Sequence, residues 1–180
     1  MADIMEIIKE RRSIRQYDTT KPVPDDVLNQ LLEAVQWAPS WANTQCWEVI
    51  VVKDAKVKEQ LQGCFDRNPA IKAIVEAPVV IGLCGKLQSA GYYKGQAATK
   101  LGDWYMFDLG LATQNLCLAA HALGLGTVIT GMFNIDQANN VLKVPEGYQL
   151  VSLIPLGYAS KGSPAPKRRE IAEFTHQDTF

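Results

Sequence analysis

The chain has 180 residues, enough for one domain with a sizeable core, and 47% of them are apolar. With 13 Gly and 9 Pro, this composition excludes collagen-like, highly charged and wholly disordered classes. Its 18 basic and 19 acidic residues leave a net charge of −1, which gives no general attraction for nucleic acid or an anionic membrane.

Residues 3–10 read as a short helix capped by Asp3, with Ile4, Ile7 and Ile8 on one side. The basic run Arg11-Arg12-Ser13-Ile14-Arg15-Gln16-Tyr17 comes next, and Pro22 and Pro24 mark a turn. A helix is predicted from about Asp25 to Trp37, with Leu28, Leu31, Leu32, Val35 and Ala38 as its apolar stripe. Pro39 ends it, because proline cannot continue a helical hydrogen-bond ladder. The polar junction 39–46 feeds a β-branched strand over 47–52. Short helices are expected over 55–62 and 69–76, then a strand over 77–84 whose continuous apolar run suits a sheet covered on both faces.

Residues 85–95, rich in Gly and Tyr, stay open between a mobile segment and a ligand cover. A long helix is predicted from about Ala97 to Leu123. Between 101 and 123 its only charges are Asp103 and Asp108. Lacking a broad polar face, it belongs either at the centre of the domain or against a second subunit. Gly124 and Gly126 break it and lead into Thr127-Val128-Ile129-Thr130-Gly131. A short helix over 135–142 and a third clear strand over 148–157 complete the regular elements. From about 159 the chain becomes a basic, proline-rich extension. Neither a domain boundary nor a repeat is visible. The expected architecture is one α+β domain over 1–180, with helices around a small sheet.

The four cysteines, Cys46, Cys64, Cys84 and Cys117, have no zinc-ligand or redox-pair spacing. Counting alone leaves a disulfide open, whereas the absence of a leader-like segment favours reduced thiols and a cytoplasmic default. No run reaches the length of about 18 apolar residues that a membrane span needs. Gly124-x-Gly126 lacks the third glycine and the strand-before-helix context of a dinucleotide fingerprint. His121 and His176 read as structural or interface residues.

Two segments carry chemical promise. Extended backbone over 11–15 would send Arg11, Ser13 and Arg15 to one side. Guanidinium forks and a hydroxyl suit a phosphate monoester, and Lys167, Arg168 and Arg169 are further cations from the far end of the chain. The bland alternative is a solvated basic surface. In the junction Pro39-Ser40-Trp41-Ala42-Asn43-Thr44-Gln45, side-chain amides and hydroxyls could meet a heterocycle's polar edge or could form a cap-and-turn network.

These motifs together resemble the nitroreductase family of flavin enzymes in its short form. The resemblance runs from Arg11-Arg12-Ser13-Ile14-Arg15-Gln16-Tyr17 and Pro22-Val23-Pro24 through Leu31-Leu32-Glu33-Ala34, Trp37-Ala38-Pro39-Ser40, Asn43 and Gln45-Cys46-Trp47. It continues with Gly124-Leu125-Gly126-Thr127, Gly131-Met132-Phe133, Ile154-Pro155-Leu156-Gly157-Tyr158 and Glu173-Phe174-Thr175-His176. It implies a mainly antiparallel sheet flanked by helices, in an intertwined homodimer with two FMN sites at the interface. It implies FMN as cofactor, NADH or NADPH as electron donor, and a small nitroaromatic, quinone or related conjugated acceptor reduced in a ping-pong cycle. The flavin N5 carries the hydride, so no side chain is assigned a catalytic role.

By position, Arg11, Arg12, Ser13 and Arg15 resemble the phosphate and ribityl anchors, with the residue at Arg12 often contributing mainly backbone. Arg168 best matches the terminal phosphate-binding arginine, with Lys167 and Arg169 adjacent in register. Pro39, Ser40, Asn43 and Gln45 resemble the partner-subunit segment that borders the flavin, and Val128, Ile129, Thr130 and Gly131 the loop whose backbone approaches its ring. The family usually has proline where this chain has Cys46, a residue that either fills a small apolar gap or stands near the flavin as a reactive thiol. Two rival functions remain in view: a flavin-dependent dehydrogenase of another substrate class, and a non-catalytic flavin-binding sensor or interaction module.

Overall fold

The computed structural model describes residues 3–180. A four-stranded antiparallel sheet forms its centre: β1 (Trp47–Val52), β2 (Val79–Lys86), β6 (Tyr148–Gly157) and β5 (Gly126–Thr127), in the order β1-β2-β6-β5. Among the described residues, six α-helices surround it: α1 (Ile4–Glu10), α2 (Asp25–Gln36), α3 (Ala55–Gln62), α4 (Ala73–Glu76), α5 (Tyr105–Ala122) and α6 (Ile135–Leu142). Among the described residues, no helix is long and apolar enough to cross a membrane.

The sheet is covered on both faces, which explains the unbroken apolar run of β2. Alternate residues leave a strand on opposite sides. Val79 and Ile81 join Leu31 and Val35 of α2 and Leu116 of α5 in one cluster. Val80 joins Leu61 of α3, Ile74 of α4 and Ala138 of α6 in the other. Helix α5 buries Leu109, Ala112, Leu116, Cys117 and Ala120 on one side. On the other it exposes Met106 and Phe107 by 55% and 57%. The uncharged circumference therefore has two destinations, a core and an uncovered apolar face.

Several boundaries differ from the sequence reading. Helix α5 starts at Tyr105 rather than at 97. Residues 92–93 and 96–97 instead pair as a small hairpin, β3 (Tyr92–Tyr93) and β4 (Gln96–Ala97), across a turn in which Lys94 and Gly95 both have positive φ. Such two-residue turns match the natural twist of paired strands. Asp103 then accepts the N–H groups of Gln88 and Tyr105, which anchors the hairpin and starts the helix. Gly91 packs so tightly that an added Cβ would collide with the Trp104 ring. Residues 85–95 are thus the end of β2 and an anchored hairpin with an exposed tip.

The expected helix over 69–76 shrinks to α4, because the Asn68 side chain accepts the Ala70 N–H and diverts the backbone into a turn. Strand β2 begins two residues late, after Pro78, and runs on to Lys86 because β1 pairs with it as far as Trp47↔Gly85. All four cysteines are free and buried.

Candidate functional site

Residues 11–15 lie along the edge of the sheet. Ser13 bridges Thr127 in parallel fashion, and Ile14 donates its N–H to the Thr127 carbonyl at 2.9 Å. Ile14 points inward, 8% exposed, beside Tyr17 and Val128. Alternation therefore turns Ser13 and Arg15 outward. Gly126 makes this approach possible: a Cβ there would sit 2.6 Å from the Ile14 side chain. The C-terminal extension returns to the same edge, where Asp18 N–H bonds the Tyr158 carbonyl and Ser160 N–H the Gln16 carbonyl.

The result is a cavity of about 310 Å³ lined by Arg11, Arg12, Ser13, Arg15, Ser163, Pro164, Pro166 and Arg168. Among the described residues, none of these arginines has a carboxylate within ion-pair distance. Arg12 is the least available, since its Nη1 donates to the carbonyls of Lys9 and Arg11 and so caps the end of α1. Arg169 pairs instead with Glu173 and lies over the Phe174 ring. Lys167 is exposed and does not line the cavity. Of the three terminal cations, Arg168 is the one brought to the N-terminal group. Ser163 also lines the cavity, although its proline-rich surroundings offer no signal by which sequence reasoning could single it out. His121 borders an adjoining cavity of about 290 Å³ with Glu10, Arg11 and Arg12.

The junction forms a second, separate place. A single 3-10 turn spans Trp41–Asn43, and Ala42, Asn43 and Gln45 all have positive φ, at 45°, 55° and 46°. Side-chain-bearing residues rarely adopt this conformation, and such strain persists only when surrounding contacts hold it. Here the Ser40 hydroxyl accepts the Gln45 N–H, and Gln45 Nε2 donates to Asn43 Oδ1. Asp108 on α5, 1% exposed, accepts the Trp41 N–H through both carboxylate oxygens. Asn43 and Gln45, with Gln36, Trp37 and Ala38, line a cavity of about 400 Å³. Pro39 is exposed and Ser40 half-buried beside it. Asp108 was visible in the sequence only as a charge inside an apolar helix.

Cys46 is buried, with its thiol 3.6 Å from Asp108 Oδ2. Burial first, and the neighbouring carboxylate second, push its pKa up to about 12. The thiol therefore stays protonated and is a poor nucleophile at neutral pH. Of the two readings of this residue, the structure favours packing.

Val128 is buried and Ile129 half-exposed. Thr130 is tied to Leu153 through both backbone groups and its hydroxyl. The N–H groups of Ile129 and Gly131 have no acceptor among the described residues. None of Val128, Ile129, Thr130 or Gly131 lines either cavity; Arg11, Arg12, Ser13 and Arg15 line the first, and Asn43 and Gln45 the second.

The chain matches the nitroreductase family over residues 8–158. It is 30% identical over 195 residues to the FMN reductase [NAD(P)H] of Bacillus subtilis (strain 168), covering all of this chain and 75% of that protein. It is 29% identical over 184 residues to the NADH dehydrogenase of Thermus thermophilus, covering 87% of each. The solved structure of an FMN-dependent nitroreductase from Clostridium difficile R20291 superposes with a TM-score of 0.82 at 25% identity, covering 98% of this chain and 99% of the other. A family match across most of the chain and a shared fold lead to one conclusion: the chain belongs to the nitroreductase family.

Proposed function

We propose that this protein is an FMN-dependent oxidoreductase that takes electrons from NADH or NADPH and reduces a small nitroaromatic, quinone or related conjugated acceptor. The observation that carries this reading is the cavity in which Arg11, Ser13, Arg15 and Arg168 converge with no carboxylate partner among the described residues. Unpaired guanidinium forks plus a hydroxyl fit the phosphate of FMN, because charged bidentate bonds match its oxygens. The names of the relatives point the same way.

Bound FMN supplies the two-electron chemistry. The chain's own residues hold it: Arg11, Ser13, Arg15 and Arg168 at the phosphate, with the backbone of Arg12 supporting them. The free N–H groups of Ile129 and Gly131 are suited to an electron-rich ring edge, as preorganised donors are elsewhere. Ser40, Asn43 and Gln45 would border the flavin of a second chain, a reading supported by Asn43 and Gln45 lining a cavity different from that of the arginines. Exposed apolar side chains support this arrangement: Met106 and Phe107 on α5 and Ile4, Met5 and Ile8 on α1 are all exposed by 45–57%.

Anaerobic mixing of holoprotein with NADH or NADPH tests the reading. Loss of the oxidised-flavin absorbance and its return on adding a quinone or nitroaromatic are expected. No bleaching by either donor would overturn the reductase reading and leave the two rivals, a flavin-dependent dehydrogenase of another substrate class and a non-catalytic flavin-binding module. Active holoprotein with a solution mass near 19.9 kDa would overturn the two-chain site.

A further inference from the structure

Asp108 takes no part in the phosphate cavity, yet it is almost completely buried. Among the described residues no cationic side chain stands within ion-pair distance of it. Burying a lone carboxylate is costly unless its oxygens are bonded. Here both oxygens meet one N–H, that of Trp41, at 3.1 and 3.0 Å, and Oδ2 also meets the Cys46 thiol at 3.6 Å. The carboxylate thus grips both ends of the turn 41–46, and the three positive-φ residues lie between its contacts.

Trp41 is clamped a second time by the same end of α5. Its ring lies 5.1 Å from that of Trp104, which itself packs edge-on against Phe107. The third contact depends on the Cys46 thiol, the only one of the three made by a side chain of the turn.

The geometry points to Asp108 as a positioning residue. From the first turn of α5 it holds the turn 41–46 so that Ala42, Asn43 and Gln45 keep their left-handed conformation, and so sets where Ser40, Asn43 and Gln45 stand beside the flavin and which acceptors fit there. This role rests on the reductase reading for its functional half, and on the hydrogen bonds alone for its structural half.

Two variants separate the halves. Asp108→Leu keeps roughly the volume and removes both acceptors, whereas Asp108→Asn keeps one neutral oxygen. Amide hydrogen exchange at Trp41, measured in the protein as purified, requires no turnover. It should rise about tenfold in Asp108→Leu and about threefold in Asp108→Asn, as loss or weakening of a charged hydrogen bond requires. With FMN loaded, the KM for a quinone acceptor should rise in the same order. A merely structural role would lower melting temperature and flavin content but leave the loaded fraction with the wild-type KM. That result in Asp108→Leu would overturn the inference. Should Asp108→Leu not fold, unchanged Trp41 exchange and unchanged acceptor KM in Asp108→Asn would overturn it equally. Wild-type protein that binds no FMN would instead end the reductase reading, with the exchange comparison still deciding whether Asp108 holds the turn.

Discussion

Residues 11–15 with 163–168, and residues 40–46, are the two places where this chain concentrates polar groups, and they are built differently. In the first, cations are gathered on extended backbone and left without carboxylates among the described residues. An anion would relieve their mutual repulsion, so in the proposed function this region acts as a site defined by charge. In the second, the polar groups are neutral, mostly bonded to one another, and held on strained backbone by a carboxylate 67 residues away. That region is a site defined by shape. Charge supplies most of the affinity for a phosphate, whereas shape discriminates among ligands and fails when its support is moved.

The contrast gives graded expectations. Arg11→Ala removes a charged donor from the proposed phosphate cavity, and one such bond is worth about 1.5–3 kcal/mol. FMN affinity should fall roughly tenfold to a hundredfold in a titration of apoprotein, with little change in the order of preferred acceptors. Gly126→Ala leaves every charge in place but forces a Cβ against Ile14. Overpacking of this kind costs about 1–3 kcal/mol, so melting temperature and FMN retention should drop together. Lys167→Ala, outside the cavity, should change FMN affinity by less than about threefold at moderate salt. If Lys167→Ala and Arg11→Ala weakened binding equally, the cavity would act as a diffuse basic surface rather than a built site.

The shaped region has its own signature in alkaline solution. An unfolded Cys46 thiol ionises near its ordinary 9.0, whereas the folded one is held up to about 12 by burial and by Asp108. Burial holds Cys84 up to about 11 as well. Below pH 9.0 both states keep the proton and the contribution to stability is complete. As pH rises from there through the folded values, the unfolded chain loses protons that the folded chain keeps, and stability drains away. Cys46→Ala should flatten part of this alkaline fall in melting temperature. In native protein near neutral pH, Cys46 should resist alkylation by iodoacetamide, and rapid labelling would contradict the thiol's place behind the turn.

The charged region was largely legible in the sequence because its chemistry resides in residue identity. Arg11, Ser13 and Arg15 alternate around Ile14, and an extended segment needs nothing more to sort them. Among Lys167, Arg168 and Arg169, resemblance already favoured Arg168, the one of the three that lines the cavity, but the contact that takes Arg169 to Glu173 is local and spacing does not reveal it. The three long strands, and helices α1, α2, α3 and α6, were legible from periodicity, caps and prolines. Helix α5 was placed eight residues too early because Ala97, Ala98, Leu101 and Trp104 extend its apolar character backwards along the chain. A turn at Lys94-Gly95 and the Asp103 cap override that pattern. The turn at 40–46 was the least legible part. Its positive-φ residues are Ala, Asn and Gln, not glycine, and a long-range bond to Asp108 holds them there.

The reductase reading depends first on the phosphate being gripped by the arginine cavity. Calorimetric titration of the apoprotein with FMN and, in parallel, with riboflavin isolates that grip, since the two ligands differ only in the phosphate. Several charged hydrogen bonds at about 1.5–3 kcal/mol each should make FMN bind at least about a hundredfold more tightly, at one per chain. Equal affinities for FMN and riboflavin would contradict the account.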